Sequence, residues 1–212
     1  MCVMSEINQA RLKQIQIIQN FDTGYFYKLP QNSLINIISR FLDDKILSCP
    51  GVKNETIKKN CSSHSKNISF TGKNYSCTIK YQNPIPAQKK NIVKVFNFLL
   101  IKRNYEDTNN FVVEFKDFAQ AGIWTDSKNT RCLKSILEQL QQLKITYKDN
   151  KNNIFEKNIF KFQVRRGKYE INFNQEIASL PCFYSLLPVH SFLLSFTAFN
   201  LLRYACVRCK QA

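Results

Sequence analysis

Glycine is scarce in this chain, with 5 in 212 residues. None sits in the G-x-x-x-x-G-K-[ST] spacing that cradles phosphates with backbone N–H groups, or in a G-x-S-x-G nucleophile elbow. Histidine is scarcer, with only His64 and His190. They lie far apart and in no His-x-His pattern, which argues against nicking chemistry that uses a tyrosine and a metal held by paired histidines. Asp43-Asp44 sit on a helical stretch and are expected to face water. No enzyme activity and no cofactor are expected. Long apolar runs are also missing: FLLSFTAFNLL, from Phe192 to Leu202, falls short of the roughly 18 to 20 residues that cross a bilayer. It suits a buried helix, and no membrane partner is expected.

What is present points to a packed, basic domain. The chain is 44% hydrophobic and 13% aromatic, enough to bury a core. Lys and Arg total 31 against 15 acids, a formal net charge of +16 and a pI near 9.6. That excess favours polyanions, nucleic acid before anionic membrane. Eight cysteines would suit a secreted disulfide scaffold, but the start of the chain, MCVMSEINQARLKQIQIIQNF, lacks the unbroken apolar core of a signal peptide. Reduced thiols in a cytoplasmic protein are the better reading. The Asn-x-Ser/Thr matches at Asn54, Asn60, Asn67 and Asn74 then carry no meaning. A C-x-x-C at Cys206 and Cys209 needs further ligands for zinc. Cys49, Cys61, His64 and Cys77 are the available set, but their spacing matches no zinc ribbon, so no metal is expected.

Residues 1–50 read as an N-terminal helical segment. One amphipathic helix is expected over 5–20, with Ile7, Leu12, Ile15 and Ile18 on one face, and a second over 33–47. GYFYKLP between them reads as extended chain. Residues 51–87 form a basic polar linker or hairpin, with NISF and YSCTIKY folding back around Thr71-Gly72-Lys73. Asn83-Pro84-Ile85-Pro86 marks a boundary before a main domain over 88–180, and 181–212 is an apolar helix with a tail. That last helix, expected over 191–205, either completes the core or makes a homodimer contact.

The main domain carries the functional signal. A helix, NIVKVFNFLL, precedes a short strand, FVVEF, and a short helix, KDFAQAGIW. After the break TDSKN comes an amphipathic helix over 127–143, then two alternating runs, NIFKFQV and KYEINF, joined by Arg165-Arg166-Gly167. Leu133, Ile136, Leu137, Leu140 and Leu143 repeat at helical spacing and face the core. Lys128, Arg131 and Lys134 fall elsewhere, crowded toward the N-terminal half. A reading helix enters the major groove with its N-terminal residues, where its dipole and free N–H groups favour phosphate. Ser127, Asn129, Thr130 and Arg131 are therefore candidates for base edges or nearby phosphates, Arg131 foremost because arginine bonds guanine bidentately. Arg165, Arg166 and Lys168, at the hairpin turn, would touch the minor groove or flanking phosphates. From Ser127 to Asn174 there are eleven Lys/Arg and four Asp/Glu.

The order KVFNFLL, FVVEFKDFAQAGI, TRCLKSILEQLQQLKI and FKFQVRRGKYEINFNQEI resembles the winged-helix domain of plasmid replication initiator proteins, over roughly residues 90–205. The resemblance implies an α+β winged helix-turn-helix domain that binds repeated origin sequences in double-stranded DNA and recruits host replication proteins. Many members carry a second winged-helix domain. Too few residues follow Leu202 to hold one, so a short relative or a truncated sequence is expected. A transcription regulator and a non-enzymatic protein–protein interaction module are the competing readings.

Overall fold

The computed structural model describes residues 17–20, 24–42, 56–61, 66–73, 75–81, 91–124, 130–149, 154–178, 180 and 182–208. The elements run β1 (Ile17–Asn20), β2 (Gly24–Gln31), α1 (Ser33–Leu42), β3 (Thr56–Cys61), β4 (Lys66–Thr71), β5 (Tyr75–Tyr81), α2 (Ile92–Glu106) and β6 (Asn110–Val113). Then come α3 (Phe115–Gln120), α4 (Thr130–Gln142), β7 (Lys144–Asp149), β8 (Ile154–Asn158), β9 (Phe160–Arg165), β10 (Lys168–Phe173) and α5 (Gln175–Ala178). β11 (Phe183–Pro188), a 3-10 turn (Val189–Leu193) and α6 (Phe196–Arg208) close the chain. Three antiparallel sheets result, ordered β1-β2-β11, β6-β10-β9 and β3-β4-β5-β7-β8.

α2 is the hub. Every residue from Ile92 to Leu100 is buried, which accounts for a sequence that is apolar nearly all round. Its two buried polar side chains are both bonded: Lys94 Nζ donates to the Phe192 and Leu194 carbonyls at 2.7 Å each, and Asn97 Oδ1 accepts from Arg203 Nε at 2.9 Å. Arg203 also reaches Asn36 Oδ1 at 3.2 Å, so α1, α2 and α6 share one buried polar network. The apolar stripe of α4 behaves as its spacing requires, with Leu133, Ile136, Leu137, Leu140 and Leu143 all in the core.

Several expectations change here. The helix expected over 5–20 does not extend through its last four residues: Ile17–Asn20 form β1, paired with β2 from Ile17↔Tyr27 to Asn20↔Gly24. A ladder partner and two β-branched residues outweigh helical periodicity there, while 5–16 lie outside the described residues. The second helix covers Ser33–Leu42, begun by Asn32 Oδ1 accepting from the Ile35 N–H at 2.8 Å; residues 43–47 lie outside the described ones. The hairpin around Gly72 forms with Thr71 opposite Ser76. β5 also pairs with β7 from Tyr75↔Asp149 to Lys80↔Lys144, so one sheet takes strands from both sides of Asn83–Pro86. The final helix is shifted. Leu194 is extended (φ −62°, ψ 157°), and α6 starts afresh with Ser195 Oγ accepting from the Ala198 N–H at 3.3 Å. It is also not buried all round: Phe199 is fully covered, whereas Leu201 is 60% exposed.

Candidate nucleic-acid interface

Helix α3 opens with a reciprocal cap. The Glu114 side chain accepts from the N–H of Asp117, and Asp117 Oδ2 accepts from the Glu114 N–H at 2.8 Å, which satisfies donors the helix cannot. It closes in a Schellman turn. The Gly122 N–H donates to Ala119 O and the Ile123 N–H to Phe118 O, each at 3.0 Å, with Gly122 left-handed at φ 83°. Phe118 and Ile123, which flank that turn, are both in the core. α4 follows.

Two sets of contacts fix α4 against β8 and the hairpin of β9 and β10. Near its C-terminal end, Gln141 Oε1 accepts from the Phe162 N–H at 2.9 Å and Gln141 O accepts from Asn158 Nδ2 at 2.6 Å. At its first residue, the Tyr169 hydroxyl donates to Thr130 O at 3.5 Å. Burial, then the nearby Glu138 charge, raises the Tyr169 pKa, so the phenol keeps its proton to donate. The start of α4 is thereby held beside β10, and three residues back along that strand, ~10 Å at the usual rise, lies the hairpin tip. Arg166 (φ 51°) and Gly167 (φ 76°) form the tip, between Arg165 and Lys168, which pair across the ladder. Positive φ at both central residues is the hairpin turn whose twist suits the strands.

Of the residues expected to read DNA, Ser127, Lys128 and Asn129 lie outside the described residues, as do Asp43 and Asp44. Thr130, Arg131 and Lys134 are exposed on α4, and Arg165, Arg166 and Lys168 are exposed at the tip. Their charges are not equivalent. Lys134 pairs with Glu138 at 3.8 Å, Arg165 with Glu170 at 3.3 Å and Lys168 with Glu114 at 2.9 Å. Arg131 and Arg166 are in no ion pair among the described residues. Glu114 also meets Lys116 at 2.8 Å; hydrogen bonds from Lys116 and then Lys168 hold its carboxyl down at about 2. Glu114 and Tyr169 thus organise the interface, and neither stood out in the sequence. The E-F-K-D run at the start of α3 carries the signal for Glu114. Nothing local marks Tyr169, whose partner is 39 positions away.

Of the residues weighed for zinc, only Cys77 has a described side chain. It is buried in the sheet, and burial pushes its thiol up to about 12. Among the described residues no helix is long and apolar enough to cross a membrane.

Helix α2, strand β6, helices α3 and α4 and the β9–β10 hairpin, with the sheet order β6-β10-β9, define a winged helix, a DNA-binding class that presents one helix and one hairpin on a common side. The chain belongs to the initiator replication protein family, whose WH1 model matches residues 69–186. No curated protein and no solved structure matches the chain.

Proposed function

We propose that the chain binds repeats in the replication origin of a plasmid or similar element, recognising sequence through α4 and engaging flanking backbone through the hairpin. Arg131 reads base edges in the major groove, with Ser127, Asn129 and Thr130 beside it and Lys128 and Lys134 on nearby phosphates. Arg166 contacts phosphate or the minor groove at the tip, with Arg165 and Lys168. The work is binding without catalysis, and host replication proteins are recruited to the bound origin. The observation that carries this reading is the pair of exposed arginines, Arg131 and Arg166, in no ion pair among the described residues and on two elements tied together by Tyr169 and Gln141. An arginine already committed to a carboxylate must break that pair to reach DNA, and these two need not.

The test is affinity for the DNA flanking the chain's own gene against scrambled duplex at near-physiological salt. Native DNA is expected to bind more tightly, and Arg131→Ala to cost about 1 to 3 kcal/mol on native DNA, roughly 5- to 150-fold, with little change on scrambled DNA. Equal affinity of the wild type for both would overturn the proposal.

A further inference from the structure

The five-stranded sheet turns two different faces outward and inward. Alternate residues Ile68, Phe70, Cys77, Ile79, Ile145 and Tyr147 are buried against the helices. The registers place the opposite residues of neighbouring strands in rows on the outer face. In one row Lys58 is followed by Ser69 and Thr78, whose hydroxyls lie 3.0 Å apart. In the next, Lys80 stands directly opposite Lys144. Lys148 lies four residues further along β7. Glu156 is the one acid among these rows; it pairs with Lys144 at 2.9 Å, and its carboxyl is lowered by Lys144 and then by Lys80. Lys58, Lys80 and Lys148 are exposed and in no ion pair among the described residues. Serine, threonine and asparagine fill nearly all the remaining positions.

We infer that this outer sheet face is a second DNA-contacting surface, which binds the phosphate backbone of duplex DNA beyond the segment read by α4. It rests on the DNA binding of the proposed function but not on how α4 discriminates sequence. Lys144 and Lys148 are ~13 Å apart along β7, and β3 and β5 lie ~10 Å apart across β4. A patch of that length matches about four phosphates along one strand at ~3.4 Å of axial rise each. Hydroxyls and amides between cations are the groups that bond phosphate oxygens without reading sequence. The face has no aromatic ring among its described side chains, since Phe70 and Tyr147 point inward, so it offers no stacking platform for single-stranded bases. Nor does it suit a second copy of the chain. Ile154, 63% exposed, is the one large apolar side chain in these rows, and two such faces would repel.

The experiment measures affinity against salt for the full chain, for Lys58→Gln/Lys80→Gln/Lys148→Gln and for the matching triple arginine variant. The duplex extends well beyond the native site, with a scrambled duplex of equal length alongside. The glutamine variant is expected to reduce the slope of log K against log salt by about 2.7, at about 0.9 per phosphate contact. The native-to-scrambled ratio should stay unchanged, and the arginine variant should keep the wild-type slope. An unchanged urea midpoint for both variants shows that folding is not the cause. A wild-type slope in the glutamine variant overturns the inference. So does a slope unchanged on DNA while binding to phosphatidylserine vesicles is lost, which would hand the face to anionic lipid. Equal wild-type affinity for native and scrambled DNA would sink the sequence-reading proposal and leave the slope comparison intact.

Discussion

Replacing Gly122 with alanine tests the turn that launches the path from α3 to α4. The backbone there is left-handed at φ 83°, a conformation that costs an L-residue about 1 to 2 kcal/mol. A Cβ added at Gly122 would also run into Leu193 Cδ2 and fall 2.8 Å from its Cγ. Leu193 is 61% exposed, so its side chain can swing away for about 0.5 to 1 kcal/mol of rotamer cost. Gly122→Ala should therefore destabilise the protein by about 2 kcal/mol, seen as a lower urea midpoint at unchanged slope and a melting temperature roughly 5 °C lower. In a Leu193→Ala background the close approach is gone and the cost should fall to about 1 kcal/mol, so a double-mutant cycle separates strain from clash. A Gly122→Ala variant within about 0.5 kcal/mol of wild type, the range of an ordinary surface change, would refute the argument that the Schellman turn requires glycine.

Glu114 carries the pH dependence of the interface. Its folded pKa of about 2 is below the ordinary carboxyl value of 4.5, so the folded state favours the charged form. Its stabilisation is complete above about 4.5 and is lost as pH falls through about 2. Glu114→Gln should flatten that part of the acid limb in urea midpoints measured against pH. Lys94→Met should cost about 2 to 3 kcal/mol in the same unfolding assay, because the Phe192 and Leu194 carbonyls lose a charged donor at 2.7 Å each; a change below about 1 kcal/mol would mean that these carbonyls find other partners.

The parts of this fold visible in the sequence are those governed by local period. α2 and α4 follow from apolar spacing, and β9 and β10 from alternation around Arg166-Gly167, because each is specified by residues a few positions apart. β7 and β8 did not stand out between helix and hairpin. KITYKD is half buried only because β5 lies beside it, and its partners from Tyr75 to Lys80 are far back in the chain. β11 is the stronger case: Phe183–Pro188 pairs with residues 26–31, so its strand character depends on neighbours more than 150 positions earlier. The same limit applies to the interface. Type and position put Arg131 first, whereas the pairing that occupies Lys168, Arg165 and Lys134 but not Arg166 among the described residues depends on which acids the fold brings near. In the sequence Arg165, Arg166 and Lys168 look alike.

The two surfaces assigned to DNA are mechanically linked. α4 passes through Leu143 directly into β7 at Lys144, so the sheet face carrying Lys144 and Lys148 begins where the reading helix ends, ~20 Å along its axis from Thr130. Gln141, next to that junction, is bonded to both β8 and β9. The sheet cannot turn relative to α4 without breaking these contacts and exposing Leu140 and Leu143, both fully buried. If both surfaces bind DNA as proposed, base edges and outlying phosphates must therefore be met in one register. On the proposed function, lysines on the sheet would add the same free energy to native and scrambled duplexes of equal shape, and discrimination would fall to the N-terminal turn of α4. A duplex bent toward the sheet gains contacts that a straight one lacks, so flexible flanking steps would favour binding at positions that no side chain reads directly.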